Sequence, residues 1–151
     1  MNGATIDGVI VTPLKIIADA RGAVMHMLRA DAPQFAGFGE IYFSIVNPGA
    51  VKAWKRHREM TLSLCCVSGT IRLVVADVDA GMIREITIGP DRPETYALVT
   101  VPPGLWTGFT CMGAVPAILA NCASIPHDPA EADTLPADTD RIPYSWALTP
   151  Q

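Results

Sequence analysis

The 151-residue sequence has no apolar run that approaches the ~20 residues needed to cross a bilayer. Its first twenty residues contain Asp7, Lys15 and Asp19 and no long apolar stretch, so no signal peptide is predicted. It has no excess of positive charge either: the formal net charge is −4, which argues against nucleic acid as a partner. No segment shows a convincing helical periodicity, so long amphipathic helices are not expected.

Cysteine is also scarce, and the spacing of the four cysteines predicts neither a metal site nor disulfide bonds. Cys65, Cys66, Cys111 and Cys122 match neither a zinc site nor a disulfide framework. Each lies in or beside an apolar segment, which is typical of buried, reduced thiols. We therefore expect a cytoplasmic protein, in which the whole chain forms one domain with its own core.

Short extended segments separated by glycine and proline fill most of the chain. The predicted strands are Val9–Val11, Val24–Leu28, Ile41–Val46, Val51–His57, Leu62–Val67, Ile71–Asp77, Arg84–Ile88, Tyr96–Val101, Leu105–Cys111 and Ala117–Ala123. Such spacing is typical of all-β sandwiches and barrels. Ser68-Gly69-Thr70 is predicted to be a tight hairpin turn between two of the strands.

Both ends of the chain are expected to lie outside the barrel itself. Residues 1–20 are predicted to be an N-terminal extension. From residue 124 to 151 prolines alternate with acids, which predicts a proline-rich C-terminal strap. The strap is expected to contain a short helical turn near Asp128–Asp133 and to end in an aromatic anchor, Tyr144–Trp146.

Two glycine-bounded motifs have the spacing of a metal-binding barrel without its ligands. In the first, five residues separate Gly49 from Lys55, and His57 follows before Gly69 closes the motif. The second contains Tyr96, Pro102-Pro103-Gly104, Thr107 and Cys111. The spacing resembles the two cupin motifs, yet of the four expected ligands only His57 remains. Because a divalent metal needs three or four such ligands, we predict a cupin-type jelly-roll barrel without metal or other cofactor.

The alternation of side chains along a strand predicts which residues line the pocket. Cupin motif positions face the barrel interior, so Lys55 and His57 should point inward. The residues expected on the opposite face are Lys52, Trp54, Arg56 and Arg58. On the later strand, the inward residues should be Leu105, Thr107 and Phe109.

A set of ordered motifs makes the resemblance more specific. They are Asp19-Ala20-Arg21-Gly22, Ala53-Trp54-Lys55-Arg56-His57, Val75-Ala76-Asp77, Val101-Pro102-Pro103-Gly104-Leu105-Trp106-Thr107-Gly108-Phe109 and Ile142-Pro143-Tyr144-Ser145-Trp146. In this order they resemble the dTDP-4-dehydrorhamnose 3,5-epimerase-like group of cupins, in its smaller, single-barrel branch. The resemblance implies a homodimeric, metal-free enzyme of deoxysugar or polysaccharide biosynthesis that acts on a dTDP-linked 4-keto-6-deoxyhexose.

The resemblance also implies roles for individual residues. His57 falls on the position of the base that removes the proton next to the ketone. The family's lysine falls near Thr61 or Leu62, so the role of stabilising the enolate is predicted for Lys55 from its charge and its position on the same face as His57. The acid that holds the base in its tautomer is expected just before the closing motif, at Asp140 or, as a second choice, Asp138. The predicted substrate contacts are Arg21, Tyr42, Arg56, Trp106 and Thr107.

The sequence departs from the family pattern at the proton donor. The family's acid tyrosine falls near Ser124 or Ile125. Two alternatives to the epimerase therefore stay open: a non-catalytic sugar-nucleotide-binding cupin that serves such a pathway, and a cupin that holds a metal through His57, Glu59 and Cys111.

Overall fold

Twelve strands form the framework of residues 5–147, the part of the chain that the computed structural model describes. The strands are β1 (Ile10–Pro13), β2 (Ile16–Asp19), β3 (Gly22–Met25), β4 (Glu40–Val46), β5 (Val51–His57), β6 (Leu62–Ser68), β7 (Ile71–Asp77), β8 (Met82–Ile88), β9 (Ala97–Val101), β10 (Trp106–Cys111), β11 (Ala117–Ala123) and β12 (Ala132–Thr134). Two 3-10 turns, at Pro93–Thr95 and Pro129–Glu131, are the helical segments of this part. The predicted all-β class is confirmed. A separate finding is that no helix among residues 5–147 is long and apolar enough to span a bilayer.

Ten of these strands form two five-stranded antiparallel sheets. The first sheet has the order β1-β9-β6-β11-β4 and the second has the order β12-β5-β10-β7-β8. The remaining strands, β2 and β3, pair with each other in a separate hairpin. From β4 to β12 the chain crosses from one sheet to the other at every connection except that between β7 and β8, which is the jelly-roll arrangement of a cupin barrel.

Apolar side chains fill three layers. The central layer lies between the two sheets and includes Leu64, Leu73, Val75, Val99 and Leu119. The outer face of the first sheet is covered by the N-terminal segment, where Cys65, Tyr96 and Leu98 contact Leu14, Ile16 and Met25. The outer face of the second sheet is covered by the C-terminal segment, through Trp54, Val74, Trp106, Ile142 and Trp146. Strands β6, β7 and β9 are thus covered on both faces. Their nearly continuous apolar sequences, which lack polar–apolar alternation, fit this double burial.

The turn at Gly69 connects the two sheets and is not the predicted hairpin. Strand β6 belongs to the first sheet and β7 to the second, so the chain changes sheet within two residues. Gly69 has a φ of +83°, and a Cβ there would lie 3.0 Å from the Cβ of Ala117. A glycine therefore fits this crossing for both its backbone conformation and its lack of a side chain.

The two ends of the chain take part in the sheets more than the sequence predicted. Within the expected extension 1–20, β1 pairs with β9 at the edge of the first sheet. Within the expected strap 124–151, the short helical turn is present at Pro129–Glu131, and β12 then pairs with β5. The anchor is present too, because the rings of Tyr144 and Trp146 pack against Trp54. Residues 1–4 and 148–151, which both predictions include, lie outside the described residues.

Candidate active site

A cavity of about 320 Å³ lies between the two sheets. The second sheet contributes Lys52, Ala53, Trp54, Lys55, His57, Thr107, Phe109 and Thr134 to its lining. The first sheet contributes Tyr42, Ser44, Leu62, Leu64, Leu119 and Asn121. The cavity therefore combines two lysines and a histidine from one sheet with an apolar wall and three hydrogen-bonding side chains from the other.

A bulge in β5 determines which cations reach the cavity. Thr107 pairs with Lys55, but the next residue of β10, Gly108, pairs with Ala53, so Trp54 has no partner in the register. The extra residue places Lys52 on the cavity side together with Lys55. The alternation rule had predicted the opposite face for Lys52, and the bulge is the reason that this prediction is wrong. The ring of Trp54 packs in the outer cluster, as predicted.

His57 is buried and forms a close side-chain pair with Glu131. Its Nδ1 is hydrogen-bonded to Oε1 of Glu131, and both side chains are at least nine-tenths buried. An ionised carboxylate can only accept, so Nδ1 carries a proton, and in the neutral imidazole the free lone pair is on Nε2. The predicted partner was Asp140. That prediction is wrong, because the antiparallel pairing of β12 with β5 brings Ala132 opposite His57 and Glu131 beside it.

The second carboxylate oxygen of Glu131 is held by backbone amides. Its Oε2 accepts hydrogen bonds from the backbone N–H groups of Arg58, Glu59 and Met60, at 3.2, 3.0 and 3.3 Å. Burial raises the pKa of this carboxyl, but the hydrogen bonds from His57 and from the backbone outweigh that effect, and the net pKa is lowered. Glu131 is therefore an anion fixed in position beside the histidine.

Three other predicted site residues also line the cavity. Lys55 and Thr107 lie opposite each other on β5 and β10 and line the cavity, as does Tyr42 from β4. Among residues 5–147, neither Lys55 nor Lys52 forms an ion pair. The structure thus brings Tyr42, Lys55, His57 and Thr107 into one cavity, while their chemical roles stay predictions.

The remaining predicted substrate contacts lie outside the cavity. Arg56 forms an ion pair with Asp133 and stacks on the ring of Trp106, 4.9 Å from its centroid. Trp106 is 2% exposed and packs in the outer cluster, because alternation turns it away from the cavity side that Thr107 faces. Arg21 is exposed next to the turn between β2 and β3, where it pairs with Asp19. Within one chain, these three residues do not form part of the site.

No group of three or more His, Cys, Asp or Glu side chains in the described range is arranged to hold a metal ion. The alternative ligand set of His57, Glu59 and Cys111 is thus not assembled. The cavity is lined by one histidine, which is paired with Glu131, and by two lysines, and these groups suit proton transfer and anion binding.

Sequence reasoning missed Glu131, Lys52 and Asn121. Glu131 lies inside the helical turn that the sequence predicted, which is the signal that could have drawn attention to it. Asn121 lies on β11 and bonds through Oδ1 to the N–H of Ser63 and through Nδ2 to the hydroxyl of Tyr42. A buried amide in an otherwise apolar strand is a second signal, since such groups are paired when buried.

Known proteins of similar sequence and structure include sugar epimerases and isomerases. A probable low-salt glycan biosynthesis epimerase of Haloferax volcanii is 31% identical over 146 residues, which cover 92% of this chain and 88% of the relative. A dTDP sugar isomerase of Desulfovibrio desulfuricans G20 has a crystal structure that superposes with a TM-score of 0.90 at 43% identity, covering 96% of this chain and 94% of that one. An epimerase of Mycobacterium tuberculosis superposes at 0.80 with 18% identity, over 96% and 77% of the two chains, and shows the shared fold.

No protein-family model matches the chain. The close relatives, the jelly-roll fold and the ordered motifs agree with one another. The chain belongs to the dTDP-4-dehydrorhamnose 3,5-epimerase-like cupins, a family of sugar epimerases and isomerases.

Proposed function

We propose that this protein epimerises or isomerises a dTDP-linked 4-keto-6-deoxyhexose, with His57 as the base that removes the proton next to the ketone. The observation that carries the proposal is the buried pair of His57 and Glu131 at the wall of a cavity that also receives two lysines. The substrate class is inferred from the relatives, one of which is described as a dTDP sugar isomerase.

Each polar group has a part in the proposed proton removal. Nε2 of His57 takes the proton, and the electron pair of the broken C–H bond moves into the enolate. The ammonium group of Lys55 stabilises the negative charge that develops on the enolate oxygen. Glu131 stabilises the imidazolium that His57 becomes and keeps its ring in the productive orientation.

The rest of the cavity suits the same substrate class. Lys52 adds a second positive charge from the same strand as Lys55, which favours an anionic ligand such as a nucleoside diphosphate. The opposite wall includes Leu62, Leu64 and Leu119. An apolar wall fits the methyl group that a 6-deoxy sugar carries at C6, since burial of apolar surface is favourable.

The proposal is tested by incubation with a dTDP-4-keto-6-deoxyhexose in deuterated water, with NMR detection of exchange at C3 and C5. The wild-type protein should exchange, and His57→Asn should lower the rate by ~10² or more, as expected when a general base is lost. Binding of dTDP should be largely kept. His127→Asn is the matched control, because His127 is exposed in the C-terminal segment and should leave exchange unchanged. A wild-type protein that neither binds nor exchanges would rule the proposal out.

A second candidate function is a non-catalytic sugar-nucleotide-binding protein. It is favoured by the absence of a tyrosine near Ser124 or Ile125, where the family's acid tyrosine falls, and the Oγ of Ser124 instead accepts a hydrogen bond from the N–H of Thr61 at 2.8 Å. A wild-type protein that binds the nucleotide sugar without exchange at either carbon would favour this second function over the first.

The proposal includes a homodimer. Strand β4 is an edge of the first sheet, and its alternate residues Ile41, Phe43 and Ile45 are 52%, 61% and 62% exposed. An apolar strip along an unpaired edge is usually covered, and a second copy of the same chain is the simplest cover. We also place the proposed reaction in the cytoplasm, with support from the four cysteines, which are all buried and unpaired.

A further inference from the structure

Inversion of a carbon next to a ketone needs two proton-transfer groups on opposite faces of the enolate. His57 supplies one, and the family's position for the other is occupied by Ser124 or Ile125. The reaction proposed above therefore lacks an assigned proton donor. The chain has three tyrosines, all within the described residues, and their surroundings differ.

Two of the tyrosines form hydrogen bonds outside the cavity. The hydroxyl of Tyr96 donates to the backbone oxygen of His26 at 2.7 Å, beneath the N-terminal segment. The hydroxyl of Tyr144 is bonded to Glu85 in the aromatic cluster on the outside of the second sheet. Tyr42 is the tyrosine that lines the cavity in this part of the chain.

Tyr42 faces the cavity from the sheet opposite to His57. Tyr42 belongs to β4 of the first sheet, whereas His57 belongs to β5 of the second sheet, and the cavity lies between them. Lys52 and Lys55 lie on the same strand as His57, so they approach a bound sugar from the side of the base. Among the titratable groups that line the cavity, Tyr42 is the one placed to deliver a proton to the other face.

The hydrogen bonds around Tyr42 leave its own proton available. Oδ1 of Asn121 accepts from the backbone N–H of Ser63 at 2.9 Å, which fixes the orientation of the amide. Nδ2 of Asn121 must then donate to the hydroxyl oxygen of Tyr42, also at 2.9 Å. The other neighbour of that hydroxyl is the sulfur of Met60 at 4.0 Å, a weak acceptor. The amide would also stabilise the phenolate once the proton has left.

From this geometry we infer that Tyr42 is the catalytic proton donor, an inference that rests on the proposed function. His57 Nε2 removes the proton from one face and the enolate forms. The O–H bond of Tyr42 then breaks, a C–H bond forms on the opposite face, and the enolate electrons return to the ketone. His57 releases its proton to solvent and the Tyr42 phenolate takes one up, so the cycle is balanced. Burial raises the pKa of Tyr42 despite the hydrogen bond from Asn121, so the phenol keeps its proton near neutral pH until it is used.

The test is Tyr42→Phe, which keeps the ring and removes only the hydroxyl, with Tyr144→Phe as the matched control outside the cavity. Both variants and the wild type are incubated with the dTDP-4-keto-6-deoxyhexose in deuterated water, and dTDP affinity and thermal midpoint are measured in parallel. In the wild type, deuterium should appear in the inverted product. In Tyr42→Phe, His57 alone should return a deuteron to the original face. Deuterium should then enter recovered substrate while inversion falls by ~10² or more, with dTDP affinity retained. Tyr144→Phe should invert at the wild-type rate.

Several results would overturn the role of Tyr42 alone: inversion by Tyr42→Phe at the wild-type rate, loss of its exchange together with inversion, loss of its dTDP affinity, or an equal loss of inversion in Tyr144→Phe. A wild-type protein with neither exchange nor inversion would overturn the proposed function itself, and the role of Tyr42 with it. The exchange rate of the wild type thus separates the two failures.

Discussion

Replacement of Glu131 by Gln tests whether the carboxylate beside His57 supports both catalysis and folding. The three backbone amides that bind Oε2 require an oxygen, so the new amide nitrogen would face Nδ1 of His57. An N–H donor there forces Nδ1 to become the acceptor and places the proton on Nε2, where the base is needed. The equivalent wrong tautomer in a Ser-His-Asp triad costs about 10⁴ in rate. We expect exchange at the sugar to fall by about 10³ to 10⁴.

The same substitution should lower stability by a predictable amount. The backbone hydrogen bonds survive but lose their charge, and hydrogen bonds to charged groups contribute about 1.5–3 kcal/mol. For a chain of this length, that corresponds to a fall in Tm of about 3–12 °C. Because the pKa of Glu131 is lowered on folding, its contribution is present above the unfolded pKa of about 4.3 and is lost as pH falls through the folded pKa. The stability difference between wild type and Glu131→Gln should therefore be largest near pH 7 and shrink below pH ~4.

Calorimetric or fluorescence melts at several pH values, together with the deuterium-exchange assay, measure both effects. Glu59→Gln is the matched control, because Glu59 is exposed and only its backbone N–H takes part in the network. Wild-type exchange in Glu131→Gln would refute the tautomer argument. A stability difference that is independent of pH would refute the assignment of the charge to Glu131.

Two further predictions concern the cavity and the edge strand. Lys55→Met should slow exchange at the sugar, because it removes the charge that stabilises the enolate. Its thermal midpoint should stay near the wild-type value, since Lys55 is exposed. An unchanged exchange rate by NMR would contradict this role. The wild type should sediment at about twice the 16.1 kDa chain mass. Phe43→Glu should give monomers, while Val115→Glu, at an equally exposed site outside β4, should not. A monomeric wild type at micromolar concentration would contradict the dimer.

The fold was predictable from local patterns because its strands are bounded by local turn residues. The observed bounds of β5, β7 and β11 are those predicted, and the helical turn of the C-terminal segment was found as well. The partners of the strands were less predictable. The hairpin predicted at Gly69 is wrong, since a short turn between two strands does not reveal whether the strands pair or belong to different sheets. That choice is made by which apolar faces meet, which is a property of the whole core.

The errors at the candidate site have two distinct physical origins. Alternation along the strands had placed Arg56 on the outer face of β5, and the inward prediction for Thr107 implied the same for Trp106. Both residues were nevertheless proposed as substrate contacts because of their chemical type and the family resemblance, and the structure follows the alternation. Alternation itself fails for Lys52, because the bulge at Trp54 adds one residue and reverses the face of everything before it.

The pairing of Glu131 with His57 could not be predicted from local sequence patterns. Its pair with His57 joins residues 74 positions apart and depends on the three-residue strand β12, which has no alternating apolar pattern to reveal it. The pair forms because a buried carboxylate needs hydrogen-bond donors. One oxygen of Glu131 bonds to the imidazole, and the other accepts from the backbone amides of Arg58, Glu59 and Met60, just after β5 ends. The base and the strap therefore stabilise each other, and any change that detaches β12 should disable His57 before it unfolds the barrel.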